Sequence, residues 1–228
     1  MGDCAERADA KARTRRAVAA RLRGLSASRR RAAGASAARH LAAVPAVAKA
    51  STLMAFLSLP TEICTWPIIR WAWSCGKRVV IPRLEAPGGG GKASADPRTM
   101  VPVVLEPADA ASPADHPALR PGRFGILTAP EAPAVAPEEI DVVLVPCRAV
   151  DRRGYRLGKG GGYYDRLLAR PEVRAVRVAL ALDEQVLDAV PAGPHDRPMD
   201  MIVTESEVLA FNRSGARPAV SENPSGEE

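Results

Sequence analysis

Short apolar runs recur along the chain, alternating with stretches of helical composition and with clusters of Pro, Gly and polar residues. Residues 3–24 are rich in Ala, Arg and Leu, carry no Pro and have a single Gly at the end, so they predict a helix. Ser26 stands where an N-cap belongs and predicts a second helix to about His40, with Gly34 as its weak point. The compact run at 51–59 (STLMAFLSL) predicts a buried strand. It is followed by a helix over 62–74 that Cys75-Gly76 would end. Residues 78–82 (RVVIP) predict another strand, and 100–105 (MVPVVL) one more, at a sheet edge because Pro102 lacks an N–H. Residues 106–137 are dense in Pro and Ala and read as irregular, apart from the apolar island Phe124-Gly125-Ile126-Leu127. The clearest buried strand is 141–146 (DVVLVP); a helix starts over 163–169, and strands follow at 176–182 and 201–204.

Apolar strands alternating with helices predict an α/β fold: a three-layer α/β/α domain around a mostly parallel sheet. Residues 1–211 form one domain in this reading, and 212–228 a polar tail expected to be disordered. The length of 228 residues suits one such domain. Aromatic residues make up only 4 % of the chain, so Ala, Val, Leu and Ile must build the core and each aromatic carries more information. No apolar stretch reaches the roughly 20 residues that span a bilayer. The N-terminus is charged where a secretory signal needs an apolar segment. Cys4, Cys64, Cys75 and Cys147 are scattered without a CxxC pair and predict reduced thiols. A cytoplasmic protein without membrane contact fits these features, with a monomer as the expected state.

The formal charge of +6 implies an anionic partner: nucleic acid, a membrane surface or a phosphorylated small molecule. The excess of arginine lies in the first 31 residues. That segment has no interleaved aromatics, no zinc spacing and no nucleic-acid-reading motif, so a basic helix beside a polyphosphate explains it as well. Lys11 and Arg15 fall one turn apart on one face and could reach the same polyphosphate, although a solvated basic face is the plainer reading of the pair alone.

Two glycine clusters compete as phosphate sites. Gly88 to Gly91 precede Lys92, but a P-loop needs Gly at 86 and Ser or Thr at 93, where this chain has Ala at both. The low-complexity segment 86–98 reads as a flexible surface loop. The second cluster, GYRLGKGGGYYDR at 154–166, follows the DVVLVP strand and opens into a helix. Its glycines let successive backbone amides converge on an anion, and the helix N-terminus favours negative charge there. Arg156 and Lys159 supply side-chain cations, Asp165 a carboxylate suited to Mg²⁺, and Tyr163 and Tyr164 a wall for a flat ligand. The dinucleotide fingerprint does not fit, because Tyr163 holds its last glycine position.

The same segment resembles the signature of the 5-formyltetrahydrofolate cyclo-ligase family. Three further stretches match that family in order: Lys11-Ala-Arg-Thr-Arg15, Phe56-Leu57-Ser58-Leu59-Pro60-Thr61-Glu62-Ile63, and Pro194-His195-Asp196-Arg197-Pro198-Met199-Asp200 followed by Ile202-Val203-Thr204-Glu205. The similarity spans residues 8–211. One departure is Thr128-Ala129, where many relatives carry Glu-Pro. The resemblance implies ATP as co-substrate, with Lys11, Arg15, Arg156, Gly158, Lys159, Gly160, Gly161, Gly162, Tyr163 and Tyr164 around it. It further implies Mg²⁺ at Asp165 and Asp196, and folate at Leu57, Glu62, Phe124 and Tyr164. Arg156, Lys159 and Tyr164 are the implied catalytic residues, and His195 reads as a structural loop histidine. Taken alone, Glu62 is equally well explained as a carboxylate at a helix start. The implied reaction converts 5-formyltetrahydrofolate and ATP into 5,10-methenyltetrahydrofolate, ADP and phosphate. The alternatives are a folate-independent nucleotide enzyme on this scaffold and, behind it, a basic nucleic-acid-binding protein.

Overall fold

The computed structural model describes residues 2–85, 99–193 and 196–211. The glycine-rich segment 88–91, His195 and the polar tail 212–228 lie outside the described residues.

Helix α1 (Gly2–Leu22) leads into α2 (Ala27–Ala43), whose N-cap is Ser26: the hydroxyl accepts a hydrogen bond from the Arg29 amide at 3.1 Å. Gly34 sits inside α2 because the loop at Cys64 passes directly over it. A Cβ there would lie 1.9 Å from the Cys64 carbonyl oxygen, and the Cys64 amide donates to Arg30 O at 3.2 Å. The weak point in the helix is thus the condition for close packing. A short helix, α3 (Pro45–Lys49), precedes β1 (Thr52–Met54). Beyond Met54 the predicted strand does not continue, and 55–59 run as an irregular buried segment. The predicted helix at 62–74 also starts later, as α4 (Trp66–Ser74), with Pro67 in its first turn. Residues 60–62 form a turn that the Glu62 carboxylate closes by accepting from the Leu59 amide at 2.8 Å.

The remaining elements are β2 (Arg78–Leu84), β3 (Met100–Val104), the small pair β4 (Arg120–Pro121) and β5 (Leu127–Thr128), β6 (Val142–Pro146), β7 (Ala149–Asp151), β8 (Arg156–Leu157), α5 (Tyr163–Ala169), β9 (Val176–Leu180), β10 (Val186–Leu187), β11 (Met201–Val203) and β12 (Val208–Ala210). The main sheet has seven strands in the order β12-β11-β9-β6-β1-β2-β3. From β11 to β2 every pairing is parallel. The two edges, β12 and β3, run antiparallel, so Pro102 lies on an edge strand as its missing donor requires.

Alternate residues of each central strand enter opposite cores. Leu53, Val79, Ile81, Leu144 and Val178 pack with Ala37 and Leu41 of α2 and Ile68 and Ile69 of α4. Met54, Val80, Val143, Val145 and Ala179 pack on the other face with Leu167 and Leu168 of α5. Strands buried on both sides read as unbroken apolar runs, which is why they stood out in the sequence. The predicted three-layer α/β/α arrangement is therefore present. Chain order along the sheet reverses between β1 and β6: β2 and β3 follow on one side, β9 and β11 on the other. A crevice outside the carboxyl ends of strands at such a switch point is where open α/β sheets bind ligands.

Candidate active site

A cavity of about 680 Å³ opens there, within the usual size for small-molecule sites. All fifteen residues named from the sequence line it: Lys11, Arg15, Leu57, Glu62, Phe124, Arg156, Gly158, Lys159, Gly160, Gly161, Gly162, Tyr163, Tyr164, Asp165 and Asp196. They come from five parts of the chain. The middle of α1 covers one side, the segment after β1 forms the floor, the β4–β5 turn brings Phe124 to the mouth, and the β8–α5 loop and Asp196 close the rest.

The β8–α5 loop gets its shape from glycine. Gly160 has φ 102° and Gly162, the N-cap of α5, has φ 67°, backbone conformations that side chains with a Cβ resist. Gly162 offers no capping side chain, so the amides opening α5 keep their donors for a ligand. Among the described residues, no acceptor takes the amides of Gly160, Gly161 or Gly162. Arg15 fastens the loop to α1 by donating from Nε to Gly158 O at 2.8 Å.

Charge in the cavity is organised as three ion pairs. Lys11 Nζ meets Asp196 Oδ2 at 2.6 Å, and that oxygen also accepts from the Gly193 amide at 2.6 Å. Arg156 Nη2 meets Asp165 Oδ1 at 2.9 Å. The arginine side chain is 2 % exposed and the aspartate 28 %, and Arg156 Nε is buried with no acceptor among the described residues. Lys159 Nζ meets Glu62 Oε1 at 2.7 Å, joining the glycine loop to the floor. Glu62 is thus not a helix-start carboxylate. It is a buried group held by Leu59 N on one oxygen and by Lys159 on the other.

Tyr164 presents its ring to the cavity, while its hydroxyl is buried with no partner among the described residues. Burial raises this phenol above its ordinary range and the Glu62 charge adds to the effect, so Tyr164 is a neutral donor at any physiological pH. Cys147, at the end of β6, is pushed up to about 12 by burial, with Arg156 opposing the shift. Its thiol points at Leu180 O, 3.8 Å away, and is inert as a nucleophile.

Pro82, Leu84, Met100, Ile126, Pro146 and Cys147 add an apolar part to the lining of the same cavity. None of these was named from the sequence as a site residue. Their one signal is position, at strand ends or beside the Phe124 turn. Phe124 itself is 66 % exposed and has φ 58°, an uncommon backbone for a residue of its size.

A carboxylate pair within reach of phosphates suits Mg²⁺, which keeps several waters and binds through one or two carboxylates plus substrate oxygens. Asp165 and Asp196 fit that pattern. Among the described residues there is no cluster of three or more His, Cys, Asp or Glu.

Comparison with known proteins gives the same direction. The model of the 5-formyltetrahydrofolate cyclo-ligase family matches residues 7–205. The chain belongs to this family. The Escherichia coli K12 5-formyltetrahydrofolate cyclo-ligase is 29 % identical over 190 residues, covering 82 % of this chain and 96 % of that protein. A cyclo-ligase from Mycolicibacterium smegmatis is 44 % identical over 92 residues; that match spans 37 % of this chain and about half, 47 %, of the relative. Among solved structures, the 5,10-methenyltetrahydrofolate synthetase of Aquifex aeolicus superposes with a TM-score of 0.73 at 28 % identity, covering 94 % of this chain and 99 % of that one. The Mycoplasma pneumoniae synthetase, at 18 % identity and a TM-score of 0.63, shares the fold. This cyclo-ligase chain is accordingly an enzyme of the ligase class, and the departure at Thr128-Ala129 begins at the last residue of β5, beside the turn that carries Phe124.

Proposed function

We infer that the chain cyclises 5-formyltetrahydrofolate to 5,10-methenyltetrahydrofolate at the expense of ATP, releasing ADP and phosphate. The observation that carries the reading is the mixed lining of one cavity. Four cations and glycine amides without an acceptor share the lining with apolar strand ends and the buried Glu62 carboxylate. A polyphosphate suits the cations and amides, and a pteridine ring with N–H donors suits the apolar residues and the carboxylate.

The chemistry requires alignment more than protein nucleophiles. A formamide oxygen leaves poorly. Transfer of the γ-phosphoryl group to it breaks the bond to the ADP oxygen and makes a phosphorylated imidate. The N10 amine of the same substrate then attacks the formyl carbon, a proton leaves N10, and the C–O bond breaks with release of phosphate. Lys11, Arg15, Arg156, Lys159 and the amides of Gly160 to Gly162 hold phosphates and stabilise charge on the transferred group. Asp165 and Asp196 hold Mg²⁺, which when bound neutralises phosphate charge. Glu62 accepts from pteridine N–H groups, Leu57 and Phe124 pack on the ring, and Tyr164 lends its ring as a wall for the flat substrate beside the reacting centre. Orientation of this kind accounts for a large part of such a barrier. The enzyme works in the cytoplasm as a monomer in this reading, which the scattered thiols of the sequence support.

The experiment is to mix chain, ATP, Mg²⁺ and 5-formyltetrahydrofolate and follow the absorption band of the methenyl product. Product should form with one phosphate released per turnover and only when both co-substrates are present. ATP hydrolysis at the same rate without folate would contradict the reading.

A further inference from the structure

The Lys159–Glu62 pair spans the cavity, and its two members have different work in the proposed reaction. Lys159 lies on the phosphate wall, in a glycine-flanked loop with its side chain 38 % exposed. Glu62 lies on the floor, its side chain 7 % exposed, fixed by the Leu59 amide. At 2.7 Å the ammonium occupies the carboxylate oxygen that a pteridine donor would need, and the carboxylate holds the charge that a phosphate would need.

We propose that this pair couples the two co-substrates: each ligand claims one member of the same ion pair, so ATP and folate bind with positive cooperativity. The proposal rests on the assignment of Lys159 to phosphate and Glu62 to folate given above. When phosphates draw Lys159 away, Glu62 is left as a buried charge without a counter-ion, a costly arrangement. A folate that donates N–H groups to Glu62 removes that cost, and it also finds the oxygen already vacated. The coupling is reciprocal, as linkage requires. The other cations do not act this way. Arg156 and Lys11 pair with Asp165 and Asp196, carboxylates that line the same phosphate side, so their rearrangement stays within the nucleotide half of the site.

The test measures dissociation constants by calorimetry on the full chain, using Mg²⁺ with a non-hydrolysable ATP analogue (β,γ-imido-ATP) and 5-formyltetrahydrofolate, each alone and with the other saturating. In the wild-type chain each ligand should tighten the other by the same factor, about 10-fold within the usual 5–150-fold range of coupling. Glu62→Gln should bind the analogue alone about 5–10-fold more tightly than wild type, because Lys159 is released, and should show no tightening by folate. Lys159→Met should likewise abolish the coupling, which covers the case in which Glu62→Gln does not fold. Independent binding in the wild type, or coupling that survives in either folded variant, overturns the proposal. Failure of the underlying assignment looks different: the wild-type chain would bind only one of the two ligands, or neither, and would form no methenyl product.

Discussion

The Arg156–Asp165 pair predicts an asymmetry that can be measured without any ligand. The two side chains are 2 % and 28 % exposed, so removing one partner is not equivalent to removing the other. Asp165→Asn strands a guanidinium that has almost no access to water. Loss of one partner of a fully buried pair costs about 3–5 kcal/mol. Here the aspartate is partly hydrated and asparagine keeps an oxygen for Nη2, which brings the expected cost to roughly 1.5–3 kcal/mol. At about 2–4 °C per kcal/mol for a chain of this size, the midpoint should fall by roughly 3–12 °C. Arg156→Met leaves the more exposed carboxylate alone, fills the volume with an apolar chain and removes an Nε that has no acceptor. Its cost should stay below about 1 kcal/mol, or roughly 4 °C. Both variants should nevertheless lose at least about 100-fold in turnover, since each takes a charge from the phosphate wall. Thermal unfolding followed by circular dichroism, without nucleotide, checks the ordering. An Arg156→Met chain as destabilised as Asp165→Asn would refute the burial argument.

Lys11→Ala should raise KM for ATP about 10-fold while changing KM for folate less than about 2-fold, because its ammonium pairs with Asp196 and is assigned to phosphate; equal effects in steady-state kinetics would point to a folding role for α1 instead. Cys147 makes stability depend on alkaline pH. Its folded pKa is raised from 9.0 to about 12, so the native chain holds its proton longer than the unfolded chain, and this contribution is complete below about pH 9 and is lost as pH rises towards 12. Wild type should therefore lose up to about 1.4 kcal/mol per pH unit more than Cys147→Ala in denaturant titrations above pH 9, and parallel pH profiles would contradict the burial of the thiol. In the native chain at pH 8, iodoacetamide should label the exposed Cys75 well before Cys147, and equal labelling by mass spectrometry would say the same.

The glycine-rich wall of the cavity was legible in the sequence because it is built from unusual residues. Three successive glycines, two tyrosines in a chain with three, and Arg156, Lys159 and Asp165 in one short segment have no common structural explanation. The fold was legible where strands are buried on both faces. The same signal misled at 55–59, where the apolar residues are buried as floor and core, not as strand: Phe56 and Leu57 are each 4 % exposed. Glu62 looked like the start of a helix because turn and helix N-termini favour the same carboxylate, and only Pro67 marked the later beginning. Pro82, Leu84, Met100 and Cys147 were invisible as site residues, since strand ends that line a cavity use the same residue types as strand interiors that fill a core. Which strand ends face the cavity follows from the reversal of chain order between β1 and β6, a property of long-range pairing that local patterns do not encode.

The most direct measurement is nuclear magnetic resonance of the ¹⁵N-labelled chain during titration with Mg²⁺ and β,γ-imido-ATP. If the nucleotide phosphates rest on the β8–α5 loop, the amides of Gly160, Gly161 and Gly162 will show the largest shifts, followed by those of Tyr163 and Tyr164. Unchanged resonances for these glycines, with shifts concentrated elsewhere on the molecule, would contradict the assignment of that loop to phosphate.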